Sequence, residues 1–448
     1  MTYGADVSDD GLEDLVGLLD EATLRDLLAD AALRDAETAR AVRLAAARPG
    51  ERLAALRREV DDALWTRRHM GYRHSAEWAS DTRPLLAALA EAVETEPSAE
   101  LVELLERSAG HVVKVILHSD DSHGMIGAVA AELLDLHARL CDVGVADPVK
   151  LAKWMVKFRF VDQDVFELDP VRYSAALGDK GVETYRREVD KRTTDPNEFA
   201  ARYAAERLAV LDRNVPEVIR LYGGDLATPY RYQRVAEALL ELDMEDDALA
   251  WASEGIDKTS GWQVAKLYDL VAGIHSARAD EGAVAATRLE HHEAMPTSST
   301  YARLRAAAVN IDGWEGMVDH ARAVLRVRDP GALVDALLAE GYPDEAWAVA
   351  VDAGDTDVGD ARWERLAEAR EPTHPADALT VYLRLVDSVL VTADRRSYER
   401  AIRLLEAARR AAGAADESPI LVRRVAGLRE IHHRRPSLMD MLDKAGFR

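Results

Sequence analysis

The polar cluster His118-Ser-Asp-Asp-Ser-His-Gly124 contains the residue types best suited to chemistry. Aligned on Gly124, it imitates the first half of a calcium loop, with Asp121 and His123 at two ligand positions. The twelfth position of such a loop is Ala130 instead of a bidentate Glu, and an imidazole is a poor ligand for a hard cation. The spacing therefore does not support a complete calcium loop.

The same cluster has two other interpretations. His118, Asp120, Asp121 and His123 are suitable ligands for a transition metal, which would make the chain a metal-dependent hydrolase. Alternatively, Asp120 or Asp121 caps a helix that begins near Met125, because a carboxylate satisfies free amide groups at a helix start. The capping interpretation is the more frequent fate of such residues.

The other reactive residues do not form a catalytic pattern. The doublets His291-His292 and His432-His433 would point in different directions on a helix, so neither can chelate one ion alone. The sequence contains no P-loop and no Gly-x-Ser-x-Gly elbow, and the single cysteine, Cys141, is expected to be a buried, inert thiol. We therefore expect no enzymatic activity and no cofactor.

Charge is unevenly distributed along the chain. The net charge is −24, but residues 395–448 carry 13 Lys or Arg against 7 Asp or Glu. A helix predicted from Ser418 to Arg435 would place Val422, Val425, Leu428 and Ile431 or His432 on its apolar face. The arginines on its other faces are either solvated or bind an acidic partner or a nucleic acid; they are Arg423, Arg424, Arg434 and Arg435.

Two segments of the chain have nearly the same sequence pattern. The segments 238–248 and 336–346 both read as a helix end, a turn at Asp243 or Gly341, and the start of another helix. Their offset is 98 residues, close to three periods of about 33 residues, which is typical of stacked helical hairpins. Hairpins are predicted at about 197–222, 230–256, 262–294, 299–326, 330–353, 361–391 and 395–413.

The remainder of the chain also reads as helix. Apolar stripes at Leu12, Leu15, Val16 and Leu19 and at Leu24, Leu27, Leu28 and Ala31 predict helices with one buried face, with caps at Asp20 and Ser98. Aromatic residues near Trp154 are expected in the core. Three domains are predicted: a helical bundle at 1–110, a middle helical domain with the polar cluster at 111–194, and a hairpin array at 195–448.

Composition sets the outer limits. The chain has 448 residues, of which 48% are hydrophobic and 31% are charged, which is typical of a folded globular protein. It has no apolar run long enough to cross a membrane and no basic-then-apolar start typical of a secretion signal, so we expect a cytoplasmic protein.

Several motifs support a resemblance to known proteins. The segments 118–127, 136–141, 147–152 and 173–178 resemble a bacterial helical-repeat family of unassigned activity. Residues 428–442, Leu-Arg-Glu-Ile-His-His-Arg-Arg-Pro-Ser-Leu-Met-Asp-Met-Leu, are similar to the C-terminal ends of bacterial SWIM-type zinc-finger proteins. The zinc motif needs three cysteines, and this chain has one, so the resemblance implies a helical repeat without the zinc site.

The sequence thus predicts an all-α protein, with an N-terminal helical bundle continuing into an α-solenoid of tetratricopeptide-like hairpins. The leading function hypothesis is a non-enzymatic scaffold that binds a protein partner in a concave groove. The alternatives are a nucleic-acid-associated accessory protein that acts through the basic C-terminal helix, and a hydrolase that uses the 118–123 loop.

Overall fold

The computed structural model describes residues 16–48, 50–66, 69–195 and 198–448. Those residues form helices and no β-strand, so the predicted all-α fold is confirmed. The chain divides into two compact units, Met1–Gly224 and Asp225–Arg448, which we name unit 1 and unit 2. In the described ranges, no helix combines the length and apolar character that a membrane crossing needs.

Unit 1 is a helical bundle, and a π-helical turn at Phe158–Asp162 follows its eighth helix. Its α-helices are α1 Glu21–Arg34, α2 Ala36–Ala45, α3 Arg52–Leu64, α4 Tyr72–Asp81, α5 Arg83–Thr95, α6 Ala99–Ile116, α7 Met125–Asp142, α8 Pro148–Lys157, α9 Ser174–Arg192, α10 Phe199–Leu211 and α11 Val215–Gly223.

Helix α7 is central to the bundle because it packs against α4, α5 and α6. One hydrophobic core extends from Leu44 to Ala204 and includes buried residues of α6 on both sides of Gly110. Residue 110, the predicted end of the first domain, lies inside α6, and residue 194 lies inside unit 1. The division into three domains stays a prediction. Phe158 is buried, and Trp154 packs against this core as expected.

Helix α1 differs from the prediction of a buried face. Asp20 caps it as expected, accepting a hydrogen bond from the Thr23 N–H at 2.7 Å. None of its residues is buried, however, and Leu27 and Leu28 are 55% and 50% exposed. An apolar stripe is buried only where another element covers it, and α1 packs mainly on α2. The predicted Leu12 and Leu15 lie outside the described residues.

Unit 2 is a solenoid of helical hairpins. Its helices are α12 Pro229–Glu241, α13 Glu245–Lys258, α14 Val264–Ala277, α15 Glu281–Ala294, α16 Ser298–Asn310, α17 Trp314–Arg328, α18 Pro330–Ala339, α19 Pro343–Ala353, α20 Asp355–Val358, α21 Asp360–Arg370, α22 Pro375–Leu390, α23 Arg395–Ala414, α24 Ser418–Ile431 and α25 Pro436–Lys444.

Six of the seven predicted hairpins correspond to helix pairs, but the predicted pair at 395–413 is wrong: this segment is the single helix α23, since no Pro or Gly interrupts it before Gly413. The pairs α12–α13, α14–α15, α16–α17, α18–α19, α21–α22 and α23–α24 form six hairpins, and the first predicted pair, at 197–222, is α10–α11 of unit 1. Between some neighbouring hairpins the first helices pack on one another, as α12 does on α14 and α16 on α18. Contact with the next hairpin buries the apolar face that a single hairpin leaves open.

Five of these six hairpins turn in the same way. In each of them, one turn residue has a positive φ. The N–H of the residue that follows it donates a hydrogen bond to the carbonyl five positions before that donor, as in a Schellman motif. In the two segments that first showed the repeat, these bonds are Met244 to Leu239 at 3.0 Å and Tyr342 to Leu337 at 2.9 Å. The turn residues are Asp243, Ala279, Asp312, Gly341 and Asp416.

The acidic residues of the repeated segments contact the next hairpin. Glu245 and Asp246, in the first turn of α13, accept hydrogen bonds from Arg278 at the end of α14, at 3.0 and 2.8 Å. In the same way, Asp344 in the first turn of α19 pairs with Arg370 at the end of α21. The shared position of an acid in both segments is thus explained by a contact between hairpins.

The C-terminal helix is shorter than predicted. Helix α24 ends at Ile431, and a further helix, α25, begins at Pro436. The buried residues of α24 are Leu421, Val425 and Leu428, whereas the predicted Val422 and Ile431 are 65% and 69% exposed. The predicted face is therefore wrong at Val422, whereas at its last position His432, the alternative to Ile431, is half-buried.

Candidate functional site

The loop before α7 is built around Asp121. Gly124 has a φ of +67° and is the residue before the first turn of α7. Because glycine has no side chain, it cannot cap the helix. The Asp121 carboxylate caps the helix instead, accepting the N–H of Ile126 at 2.9 Å and that of Gly127 at 2.8 Å. The capping interpretation of the polar cluster is therefore the one that the geometry bears out for Asp121.

The preceding residues of the loop are held by a segment that the sequence did not connect with it. The Asp120 N–H donates to the Met70 carbonyl, and the Ser75 hydroxyl donates to the Asp120 carbonyl, both at 2.9 Å. The Asp120 side chain accepts hydrogen bonds from Ser122, which lower the pKa of the Asp120 carboxyl. His69 lies 2.6 Å, through Nδ1, from the His118 carbonyl oxygen.

These contacts give the loop a structural role. The predicted metal ligands were His118, Asp120, Asp121 and His123, and both carboxylates of this set are occupied by turn and helix-cap hydrogen bonds. In the described ranges, no group of three or more His, Cys, Asp or Glu side chains is arranged to hold a metal ion. The observed arrangement thus closes a turn and starts α7.

A buried polar cluster that sequence reasoning missed lies one helix length away, at the other end of α7. His137 is fully buried, with Nδ1 2.9 Å from the Tyr173 hydroxyl and its ring 4.4 Å from the ring of Trp154. Its Nε2 lies 3.7 Å from Glu106 and 3.8 Å from the Cys141 sulfur. The only signal in the sequence is the spacing of four between His137 and Cys141, which places both on one helix face.

Burial controls the chemistry of this cluster. It raises the pKa of the Cys141 thiol to about 12, with a further contribution from the negative charge of Glu106. Burial also raises the pKa of the Tyr173 hydroxyl. A thiol with so high a pKa stays protonated near neutral pH and is a poor nucleophile, so Cys141 has the inert character expected of it. The cluster joins α6 and α7 to the Trp154 ring of α8 and to Tyr173, the residue before α9.

The histidine doublet on α15 has separate structural contacts. His291 stacks on Tyr268, with ring centroids 4.7 Å apart. His292 lies 3.0 Å from the Thr300 hydroxyl through Nδ1 and 3.0 Å from the Ala321 carbonyl oxygen through Nε2. As predicted, the two rings point to different neighbours.

The four C-terminal arginines have two different environments. Arg424 forms an ion pair with Asp387, and Arg435 donates to the Leu390 carbonyl at 2.7 Å, so both hold α24 and its following loop against α22. Arg423 and Arg434 are exposed and form no ion pair within the described part of the chain. A role for these arginines in binding a partner or a nucleic acid stays a prediction.

In unit 2, the first helices of the hairpins expose both charged residues and residues with small side chains. We name this surface the first-helix surface and define it by the exposed residues Glu237 of α12, Lys266 and Gly273 of α14, and Ala302 and Ala306 of α16. A Cβ atom added at Gly273 would meet no atom within 4 Å. Between α14 and α16 this surface is tied by an ion pair of 2.6 Å from Arg303 to Asp269.

Comparison with known proteins gives little beyond this geometry. No protein-family model matches the chain, and no curated protein is similar to it in sequence. A solved structure described as "Circular tandem repeat protein with novel repeat topology and enhanced subunit contact surfaces" aligns with 89% of this chain and 91% of its own. The identity is 16% and the TM-score is 0.20. The fold assignment therefore depends on the helices and turns themselves.

Proposed function

We propose that the protein is a non-enzymatic scaffold whose unit 2 binds a protein partner. The main support is the hairpin turn that recurs in five of the six hairpins of unit 2, with the same backbone hydrogen bond each time. Stacked hairpins of this type form long continuous surfaces, and proteins built in this way commonly use them for binding.

The first-helix surface is the part of unit 2 on which we expect the partner to lie. The first helices pack on one another between hairpins, at α12 with α14 and at α16 with α18. In a curved stack, the helices that approach each other most closely line the concave side. The proposed groove is therefore lined by these first helices.

The side chains of this surface suit a polypeptide ligand. Gly273, Ala302 and Ala306 are small and exposed, so a partner's side chains can approach the helix backbones there. Glu237 and Lys266 supply charges of both signs at the same surface.

Substitutions that fill the groove test this proposal. Gly273→Tyr and Ala306→Tyr add large side chains to exposed helix positions, whereas Gly273→Ala adds one methyl group in open space and serves as the matched control. Each variant would be crosslinked in extract of the native cells, and the captured proteins would be quantified by mass spectrometry.

The expected result is a partner that the wild-type protein and Gly273→Ala capture equally and that the two Tyr variants lose. Equal capture by all four proteins would show that the groove is not the binding surface. A wild-type protein that captures no specific partner, together with turnover in an activity screen, would reject the scaffold function itself.

A further inference from the structure

The start of α23 presents arginines to a cleft in unit 2. Arg396, Arg400 and Arg403 follow the spacing i, i+4, i+7, which places them on one face of the helix. All three line a cleft of about 570 Å³ formed with the end of α22 and the start of α21. The cleft therefore gathers three guanidinium groups, which stay charged at any pH at which the protein is folded.

Two of these arginines form no ion pair, although the charge of Arg396 helps to lower the pKa of the nearby Asp394 carboxyl. Arg400 forms an ion pair with Glu364 at 2.8 Å, which holds α23 against α21. The side chains of Arg396 and Arg403 are exposed and form no hydrogen bond or ion pair within the described part of the chain. Both guanidinium groups are therefore available to an anionic ligand in the cleft.

Hydroxyl groups line the same cleft. Ser388 and Thr392 lie at the end of α22, and Ser397 lies in the first turn of α23. The one carboxylate among the lining residues, that of Asp360, accepts a hydrogen bond from the Ser388 hydroxyl. Guanidinium and hydroxyl groups are the donors that protein sites use for phosphoryl oxygens.

The spacing of the free arginines suits two phosphoryl groups. Seven helical residues separate Arg396 from Arg403, which is roughly 10.5 Å along the axis at 1.5 Å per residue. Two extended arginine side chains can converge over that distance on a ligand between them. We propose that this cleft binds a small molecule that carries phosphoryl groups, with Arg396 and Arg403 as its main contacts. This site is separate from the first-helix surface and does not depend on the scaffold proposal.

Titration calorimetry with pyrophosphate tests the site. Measurements would be made without divalent cations and at constant ionic strength set by chloride, so that screening is the same throughout. Wild-type protein is expected to bind one pyrophosphate. Arg396→Ala and Arg403→Ala should each weaken binding about tenfold, because each removes a charge-assisted hydrogen bond of about 1.5 kcal/mol. Arg57→Ala removes an exposed arginine of α3 that forms no hydrogen bond or ion pair within the described part of the chain, and it should bind like wild type.

Specific binding requires that only the two cleft variants lose affinity for pyrophosphate. No heat of binding in the wild-type protein, or equal weakening by Arg57→Ala, would overturn the proposal. A phosphoserine peptide that binds more tightly than pyrophosphate would overturn the assignment to a small molecule. Circular dichroism of each variant checks that the fold is intact, and because these arginines are exposed we expect the helical signal to be unchanged.

Discussion

Replacing Gly255 by Ala tests the close packing of the hairpins. Gly255 is buried in α13, and a Cβ atom at this position would lie 2.6 Å from the Cβ of Tyr232 and 2.8 Å from Cδ1 of Leu267. These residues belong to α12 and α14, so the added methyl group would be between three helices. The contact with Tyr232 involves an atom attached directly to the backbone, so rotation of a side chain cannot relieve it.

The size of the effect follows from two opposing contributions. Ala in place of Gly inside a helix stabilises it by about 0.5–1 kcal/mol. Forcing an extra methyl group into a packed core costs about 1–3 kcal/mol, and distances this short favour the upper end of that range. The net expectation for Gly255→Ala is a loss of about 2 kcal/mol in the free energy of unfolding.

Gly273→Ala is the matched comparison. It lies in the interior of the neighbouring helix α14, but open space surrounds its Cβ position, so only the helix-propensity gain of about 0.5–1 kcal/mol applies. Urea unfolding followed by circular dichroism should lower the midpoint for Gly255→Ala and raise it for Gly273→Ala. If Gly255→Ala were as stable as Gly273→Ala, the close approach of α12, α13 and α14 would be incorrect.

Three further predictions concern unit 1 and the histidines of unit 2. Asp121→Ala removes the cap of α7 and should destabilise the protein by about 1 kcal/mol in urea unfolding; an unchanged midpoint would contradict the capping role. Because burial raises the pKa of Cys141 to about 12, a thiol reagent at pH 8 should label it only after unfolding, and rapid labelling of the folded protein would show that it is accessible. Burial lowers the pKa of His291 below its ordinary 6.5, so the unfolded chain takes up a proton below about pH 6.5 that the folded chain does not, and the free energy of unfolding should fall as the pH falls. His291→Phe keeps an aromatic ring beside Tyr268 and should make this decline shallower by up to about 1.4 kcal/mol per pH unit, whereas superimposable pH profiles would refute the assignment.

The order of the hairpins could be predicted because its signals are local. Pro229, Pro330, Pro343 and Pro375 each stand in the first turn of a helix, where a missing N–H costs nothing. The helix caps at Asp20 and Ser98 were also predicted and are observed, since each depends on residues only three positions apart. Features that depend on residues within one turn of the chain, such as helix caps and first-turn prolines, can therefore be predicted from the sequence.

The uniformity of the turns could not be predicted. A positive φ usually indicates Gly, but the turn residues Ala279 and Asp312 are not Gly, so nothing in the sequence distinguishes them. Only the pair Asp243 and Gly341 was recognised, through the neighbouring alanines and leucines. The exposure of α1 was missed for a related reason: a stripe indicates which face is apolar, but not whether another element covers it.

The candidate site was predicted in part. A carboxylate next to a helix start suits both a metal and a cap, and only the distances from Asp121 to the amides of Ile126 and Gly127 decide between them. The cluster around His137 was not predicted, because Glu106 and Tyr173 lie more than 30 positions away, on another helix and in the turn before α9. Contacts between distant helices depend on the whole packing arrangement.

The hydrogen bond that closes each turn joins main-chain atoms, and this has a consequence for how the array tolerates change. The side chains of the turn can change as long as one residue keeps its left-handed backbone conformation. Hairpins can therefore diverge in sequence while they keep the same turn geometry. Whole hairpins are then interchangeable segments, and an array of this kind is lengthened or shortened by cutting between pairs instead of within them.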